Sequence, residues 1–294
     1  MVYQSDDRFM DARNLVVQCA AADGGVVSRR RLIQVGIDAS IVDELRRRGD
    51  LRVIRRGWYQ LPGARSDVVA AVRAGAVLTC VSALAYRTGV WIPPRDGRLH
   101  VRWSEHRSRP RFPRQCRSFH PLRTPTRAVD PLGIALTCAA NCLPADILVA
   151  VLDSTLRMPV PFTTENLRRL FANAPQRVTG LLDRLDPYAG SGTESITRFR
   201  LQRAGIRVRS QVQIPGVGRV DLLVGDKLII ECDSEAYHGG AQRRADIRRD
   251  RAATVGNYRI LRVDYHDVMG GWDGFFAEVT AVIKRRRHRG APDF

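Results

Sequence analysis

Between Val208 and Asp233 the chain alternates and turns in the manner of a small antiparallel sheet. Val208, Ser210, Val212 and Ile214 alternate with Arg209, Gln211 and Gln213, the period of two of a half-buried strand. Pro215-Gly216-Val217-Gly218 turns the chain, and Arg219 to Val224 follows as a second strand. Gly225-Asp226 reads as a two-residue hairpin loop, and Lys227 to Asp233 as a third strand with an apolar run of Leu228, Ile229 and Ile230. A helix is expected just before this sheet. The Gly190-Ser191-Gly192 hinge leads to Thr193 as N-cap, and the helix runs from Glu194 to Ala204, where Gly205 ends it.

Carboxylates sit sparingly on this frame. Only seven glutamates occur in 294 residues, and three of them, Glu194, Glu231 and Glu235, fall here. Strand alternation puts Ile229, Glu231 and Asp233 on one face, with Ile230 and Cys232 on the other. Asp221, on the adjoining strand, reaches Glu231 if its side chain faces the same way. Carboxylates converging at the end of an apolar sheet repel one another unless a cation lies between them. Hard oxygen ligands of this kind suit Mg²⁺ or Mn²⁺, with the Cys232 carbonyl as a further ligand. Structural roles compete for some of these residues. Glu194 also suits the positive end of a helix dipole, and Asp246 and Asp250 suit pairing with Arg243, Arg249 and Arg251 along a helix.

The charge balance points to the partner. Against 30 Asp+Glu the chain carries 48 Lys+Arg, all but two of them arginine, for a formal net charge of +18. A surplus of that size suits a polyanion, either nucleic acid or an acidic membrane surface. The N-terminal ten residues hold Asp6, Asp7 and Arg8 and no apolar core of a secretory signal, so a cytoplasmic protein is expected. The uncharged run from Pro131 to Ala145 is broken by Asn141 and Pro144 and is too short to span a membrane. Six scattered cysteines without a CxxC pair read as small buried hydrophobes of a reducing compartment. His100, His106, Cys116 and His120 match no zinc-finger spacing and read as strand and loop positions. Cys138 and Cys142 read as core on one helix.

Three blocks follow from composition: residues 1–63, 64–187 and 188–294. In the first, Leu15, Val16 and Cys19 mark one helix, and Gly24-Gly25 breaks it. Ser28 caps a second helix carrying Leu32, Ile33 and Val35. A third, from Ala39 to Arg48, sets Ile41, Val42 and Leu45 on one face and Arg46, Arg47 and Arg48 at its end. Leu51 to Leu61 then reads as a two-stranded wing around Arg55-Arg56-Gly57. That order is the order of a winged helix-turn-helix. Proline punctuates the middle block, which reads as short α and β elements joined by rigid turns.

Two resemblances extend these readings. Gly57-Trp58-Tyr59-Gln60-Leu61-Pro62-Gly63, with the helices before it, resembles the N-terminal winged helix of the abortive-infection type IV antitoxins. That resemblance implies DNA binding, with Arg46 and Arg47 on the groove helix and Arg52, Arg55 and Arg56 of the wing on phosphates. It makes 64–187 an antitoxin-like middle domain, and a homodimer and a toxin–antitoxin or phage-defence setting fit it. Over about Gly190 to Arg286, the order helix-Glu194, strand-Asp221, strand-Glu231-Cys232-Asp233 resembles the PD-(D/E)XK nuclease core. Asp233-Ser234-Glu235-Ala236-Tyr237-His238-Gly239 looks like a segment of very-short-patch-repair (Vsr-like) endonucleases.

This second resemblance implies an α/β restriction-endonuclease-like domain that cuts or nicks DNA with Mg²⁺. Asp221 and Glu231 would hold the metal, Asp233 would add a ligand or orient water, His238 would move the proton, and Glu194 would support the site. The chain departs from the pattern at Asp233, which stands where the lysine belongs; an aspartate cannot offset developing negative charge as a lysine does. The rival expectation is an antitoxin-like transcriptional regulator whose nuclease-like domain is inactive.

Overall fold

Ser28 ends a short strand and starts a short helix, and its geometry serves both: the backbone is extended (φ −93°, ψ 149°) and its hydroxyl accepts from the Arg31 N–H. The computed structural model describes residues 3–94, 96–103, 115–160, 162–233 and 251–290. Around Ser28 it sets α1 (Tyr3–Ala21), β1 (Val26–Ser28), α2 (Arg29–Gln34), α3 (Ala39–Arg47), β2 (Arg52–Arg55) and β3 (Trp58–Gln60). β3 lies between β1 and β2 and is antiparallel to both. Val16, Leu32, Val42, Leu45, Leu51 and Tyr59 share one core beneath these elements. Each large side chain so removed from water contributes about 1.5–3 kcal/mol before the entropy of ordering is counted.

The chain continues through α4 (Ser66–Arg73), β4 (Ala76–Leu78), α5 (Cys80–Leu84), β5 (Val101–Trp103) and α6 (Leu132–Cys142). β4 and β5 pair antiparallel, and Leu78 also bridges to Val129. Two ion pairs fix this region. Arg102 grips Asp130 through Nε and Nη2 at 2.6 and 2.7 Å, with both residues buried. Arg127 holds the buried Asp23 at 2.6 Å, tying the end of the first helix to the segment after residue 115. Consequently residues 1–88, 92–143 and 170–174 form one compact unit.

The second unit comprises residues 89–91, 144–169 and 175–294, so the block 64–187 is divided between the two. It contains α7 (Ala145–Leu156), all but the last residue of α8 (Thr164–Leu170), α9 (Gln176–Thr179), α10 (Gly192–Arg203), β6 (Val208–Ile214), β7 (Gly218–Val224), β8 (Leu228–Cys232) and β9 (Arg259–Val263). Helices Tyr265–Met269 and Trp272–Lys284 follow. The sheet runs β6-β7-β8-β9, antiparallel through β8 and parallel between β8 and β9. The chain is thus mixed α/β, and no helix among the described residues is long and apolar enough to cross a membrane.

Three local expectations change. The cap of α10 is Ser191, whose hydroxyl accepts from the Glu194 N–H at 3.0 Å, rather than Thr193. Cys138 is buried as expected, but Cys142, at the last position of α6, is exposed rather than part of the core. The β7–β8 loop has three residues, since Val224 pairs with Leu228. Gly225 is needed there: its φ is +62°, and a Cβ would lie 2.3 Å from the His288 carbonyl oxygen. That carbonyl accepts from the Asp226 and Lys227 N–H groups at 2.8 and 3.1 Å. The basic segment around His288 is therefore fastened to the sheet, with His288 buried.

Candidate functional site

The capped start of α10 aims Glu194 back toward the sheet. Its side chain is buried, with Oε2 accepting from the Gly190 N–H at 2.5 Å and both oxygens accepting from Gln211 Nε2 at 3.0 and 2.9 Å. The same Gln211 nitrogen lies 3.3 Å from Asp221 Oδ1, and Asp221 Oδ2 accepts from the Cys232 N–H at 2.8 Å. One amide donor thus holds two carboxylates that would otherwise repel.

Register explains the convergence. Ser210 pairs with Leu222 and Val212 with Val220, which sets Gln211 opposite Asp221. At that point the ladder is interrupted, because Gln211 has a left-handed backbone (φ +51°). Such a conformation is uncommon for a residue with a Cβ and persists only where its surroundings hold it. On the other side, β7 and β8 pair up to Leu222 and Ile230; one further step sets Asp221 opposite Glu231. The ladder stops there, and the Asp221 side chain takes the Cys232 N–H instead. β8 continues its pairing with β9 through Cys232 and Val263.

The other expected residues fall as follows. Glu231 is half-buried beside Asp221 and stands in register with Arg262 of β9. Asp233 is exposed, its N–H donating to the Val263 carbonyl at 3.0 Å. His238, together with Asp246 and Asp250, lies outside the described residues. In the first unit, Arg46 and Arg47 are exposed and paired with Asp43 and Glu44 at 3.0 and 2.6 Å. Arg52 and Arg56 are exposed, while the Arg55 guanidinium lies 5.6 Å from the centre of the Trp58 ring. Sequence alone marks Gln211 only as the polar face of a strand. Its place opposite Asp221 follows once the register of β6 and β7 is known.

Burial dominates the electrostatics. It pushes the Glu194 carboxyl up to about 7, against the lowering effect of its bonds from Gln211 and Gly190, and the charges of Asp221 and Asp186 add to the rise. Burial likewise raises the Cys232 thiol well above its ordinary range, with Asp221 and Glu194 contributing, so Cys232 offers the site its backbone and not a thiolate. Without a cation, then, burial favours the protonated form of the second carboxylate below neutral pH.

This has a thermodynamic sign. The native state binds the Glu194 proton more tightly than the unfolded chain, so stability from this group is fully present below about pH 4.5. It is lost as pH rises to about 7. Glu194→Gln mimics the protonated acid. The metal-free variant is expected to gain about 2–3 kcal/mol on the wild type between pH 4.5 and 7.5. Urea denaturation of both proteins across that range checks it; parallel curves would show that Glu194 ionises freely.

No family model matches the chain, and no curated protein matches it.

Proposed function

We propose that this protein is a metal-dependent DNA endonuclease whose active centre lies at the end of the β7–β8 ladder, and whose N-terminal winged helix holds the DNA. The observation that carries this reading is the meeting of Glu194 and Asp221 on one Gln211 amide, with Glu231 opposite Asp221 in register. A purely structural end to the ladder of two central strands gains nothing from burying a second acid against the first.

The donor set fits a hard divalent ion: the carboxylates of Asp221 and Glu231 and the Cys232 carbonyl are oxygens, as Mg²⁺ or Mn²⁺ prefers. Such an ion, when bound, makes its water more acidic and offsets the charge of the phosphorane-like transition state. Asp221 would be held for that task at both oxygens, by Gln211 on one side and the Cys232 N–H on the other. Glu194 would position Gln211, and its proton would leave when a cation takes over the neutralising role. By resemblance, Asp233, exposed just beyond β8, would orient water or add a ligand, and His238 would transfer the proton.

DNA contact is assigned to the first unit. Arg52, Arg55 and Arg56 on β2 and its turn would meet phosphates, and α3 would bring Arg46 and Arg47 to the groove. Their pairs with Asp43 and Glu44 lie at the surface, where water and salt screen them, so exchange for phosphate costs little.

The test uses supercoiled plasmid. The full chain with Mg²⁺ is expected to nick it, and the double variant Asp221→Asn with Glu231→Gln is expected not to. Equal inactivity of both, with tight salt-sensitive DNA binding retained, would instead favour a DNA-binding regulator.

A further inference from the structure

Four side chains that no sequence motif connects come together in the first unit. Cys80 opens α5, His100 precedes β5, Cys116 lies beyond it, and Cys142 is the last residue of α6. His100 Nδ1 is 3.4 Å from Cys116 Sγ and 3.4 Å from Cys142 Sγ, and those two sulfurs are 3.9 Å apart. With Cys80, all four potential ligand atoms lie within 4.8 Å of one another. A tetrahedral zinc ion with Zn–S about 2.3 Å and Zn–N about 2.0–2.1 Å requires S···S separations of roughly 3.8 Å and S···N separations of roughly 3.5 Å. The three separations in the structure, 3.4, 3.4 and 3.9 Å, meet that requirement.

Neither a disulfide nor ordinary packing produces this arrangement. A disulfide needs sulfurs about 2.05 Å apart and would leave a third cysteine over. Core packing does not require three thiols to meet one imidazole nitrogen. It also does not account for Cys80, which is fully buried with a left-handed backbone, φ +50°. The segments that carry the ligands are anchored independently by their backbones. The His100 N–H donates to Ser82 Oγ at 2.9 Å and its carbonyl accepts from the Thr79 N–H at 2.9 Å. The Cys116 N–H donates to the Val101 carbonyl at 2.8 Å. Asn141 Nδ2 donates to the Arg117 carbonyl at 3.0 Å, joining the end of α6 to the Cys116 segment.

We infer that Cys80, His100, Cys116 and Cys142 form a structural zinc site. Three thiolates and an imidazole are the soft donor set that zinc takes and magnesium does not. Four protein ligands complete a tetrahedron and leave no open position for a reacting water. The ion is therefore a clip, holding the start of α5, the approach to β5, the Cys116 segment and the end of α6 in a unit built from short elements. Binding would release the thiol protons, so affinity rises with pH. All four ligands belong to the first unit, and the site's existence does not depend on the nuclease reading.

The experiment is metal analysis of the full chain purified under reducing conditions without chelator, followed by cobalt(II) exchange. The expected result is one zinc per chain. After exchange, the strong visible bands of tetrahedral cobalt should appear with thiolate charge-transfer absorption. Asp221→Asn with Glu231→Gln should leave both unchanged. Cys116→Ser should lower the thiolate absorption by about a third, in proportion to ligands lost. His100→Cys should keep a tetrahedral spectrum with stronger thiolate absorption. If the serine variant fails to fold, wild-type zinc content and the cobalt spectrum still decide. Wild-type protein that carries no zinc, and gives only octahedral cobalt absorption on titration, would overturn the site.

Discussion

Asp153→Ala is expected to destabilise the second unit by about 3–5 kcal/mol, the loss typical when one partner of a buried ion pair is removed. Asp153 is fully buried on α7, and Arg198 of α10 is 3% exposed. Arg198 Nη2 donates to Asp153 Oδ2 at 2.9 Å, and Asp153 Oδ1 accepts from the Asp186 N–H at 2.8 Å. Removing the carboxylate strands a guanidinium whose other acid, Asp186, is 3.7 Å away, and it also orphans a backbone donor. The double variant Asp153→Leu with Arg198→Met should recover most of the loss, because neither charge then remains in the interior. Urea denaturation of the three proteins measures this. A single variant as stable as the wild type would mean that the pair does not join α7 to α10.

This pair also bears on how far the fold is readable from sequence. Alternation from Val208 to Ile214 and the apolar run at Leu228 announce strands through side-chain period alone, and β6, β7 and β8 form there. The hairpin makes Asp221 and Glu231 legible as near neighbours but not their register: a two-residue Gly225-Asp226 loop would set Asp221 opposite Ile230, and only the three-residue loop that forms, with Val224 paired to Leu228, sets it opposite Glu231. Gln211 is not legible even as a neighbour. Its inward role depends on a left-handed residue in mid-strand, which no periodic pattern encodes. Arg198, likewise, sits in a helix segment whose residues are buried almost all round, from Thr193 to Phe199, so no polar face marks it as a core residue. The cysteine cluster is hidden for a third reason. Its members come from four segments, with 16 residues from His100 to Cys116 and 26 from Cys116 to Cys142, so only the tertiary fold brings them together.

On the nuclease function proposed above, Asp221→Asn is expected to separate activity from stability in a way that no structural role for this residue would. Asparagine keeps the shape, and its carbonyl oxygen still accepts from the Cys232 N–H. What is lost is one negative charge beside Glu194, a charge that helps raise the Glu194 carboxyl, together with the weak acceptor at 3.3 Å from Gln211 Nε2, which keeps its bonds to Glu194. The metal-free variant should therefore be as stable as the wild type or slightly more so at neutral pH, and the Glu194 carboxyl should titrate closer to its ordinary range. Cleavage should fall by on the order of 10³-fold, the loss that follows removal of one charge-stabilising group from a reacting centre. Plasmid nicking at saturating Mg²⁺, set beside urea denaturation without metal, gives both numbers. A structural carboxylate would move them together, losing stability and activity in step; a ligand moves them apart. Salt-dependent binding to the same plasmid supplies the remaining control, since its slope counts phosphates neutralised by the arginines and should not change.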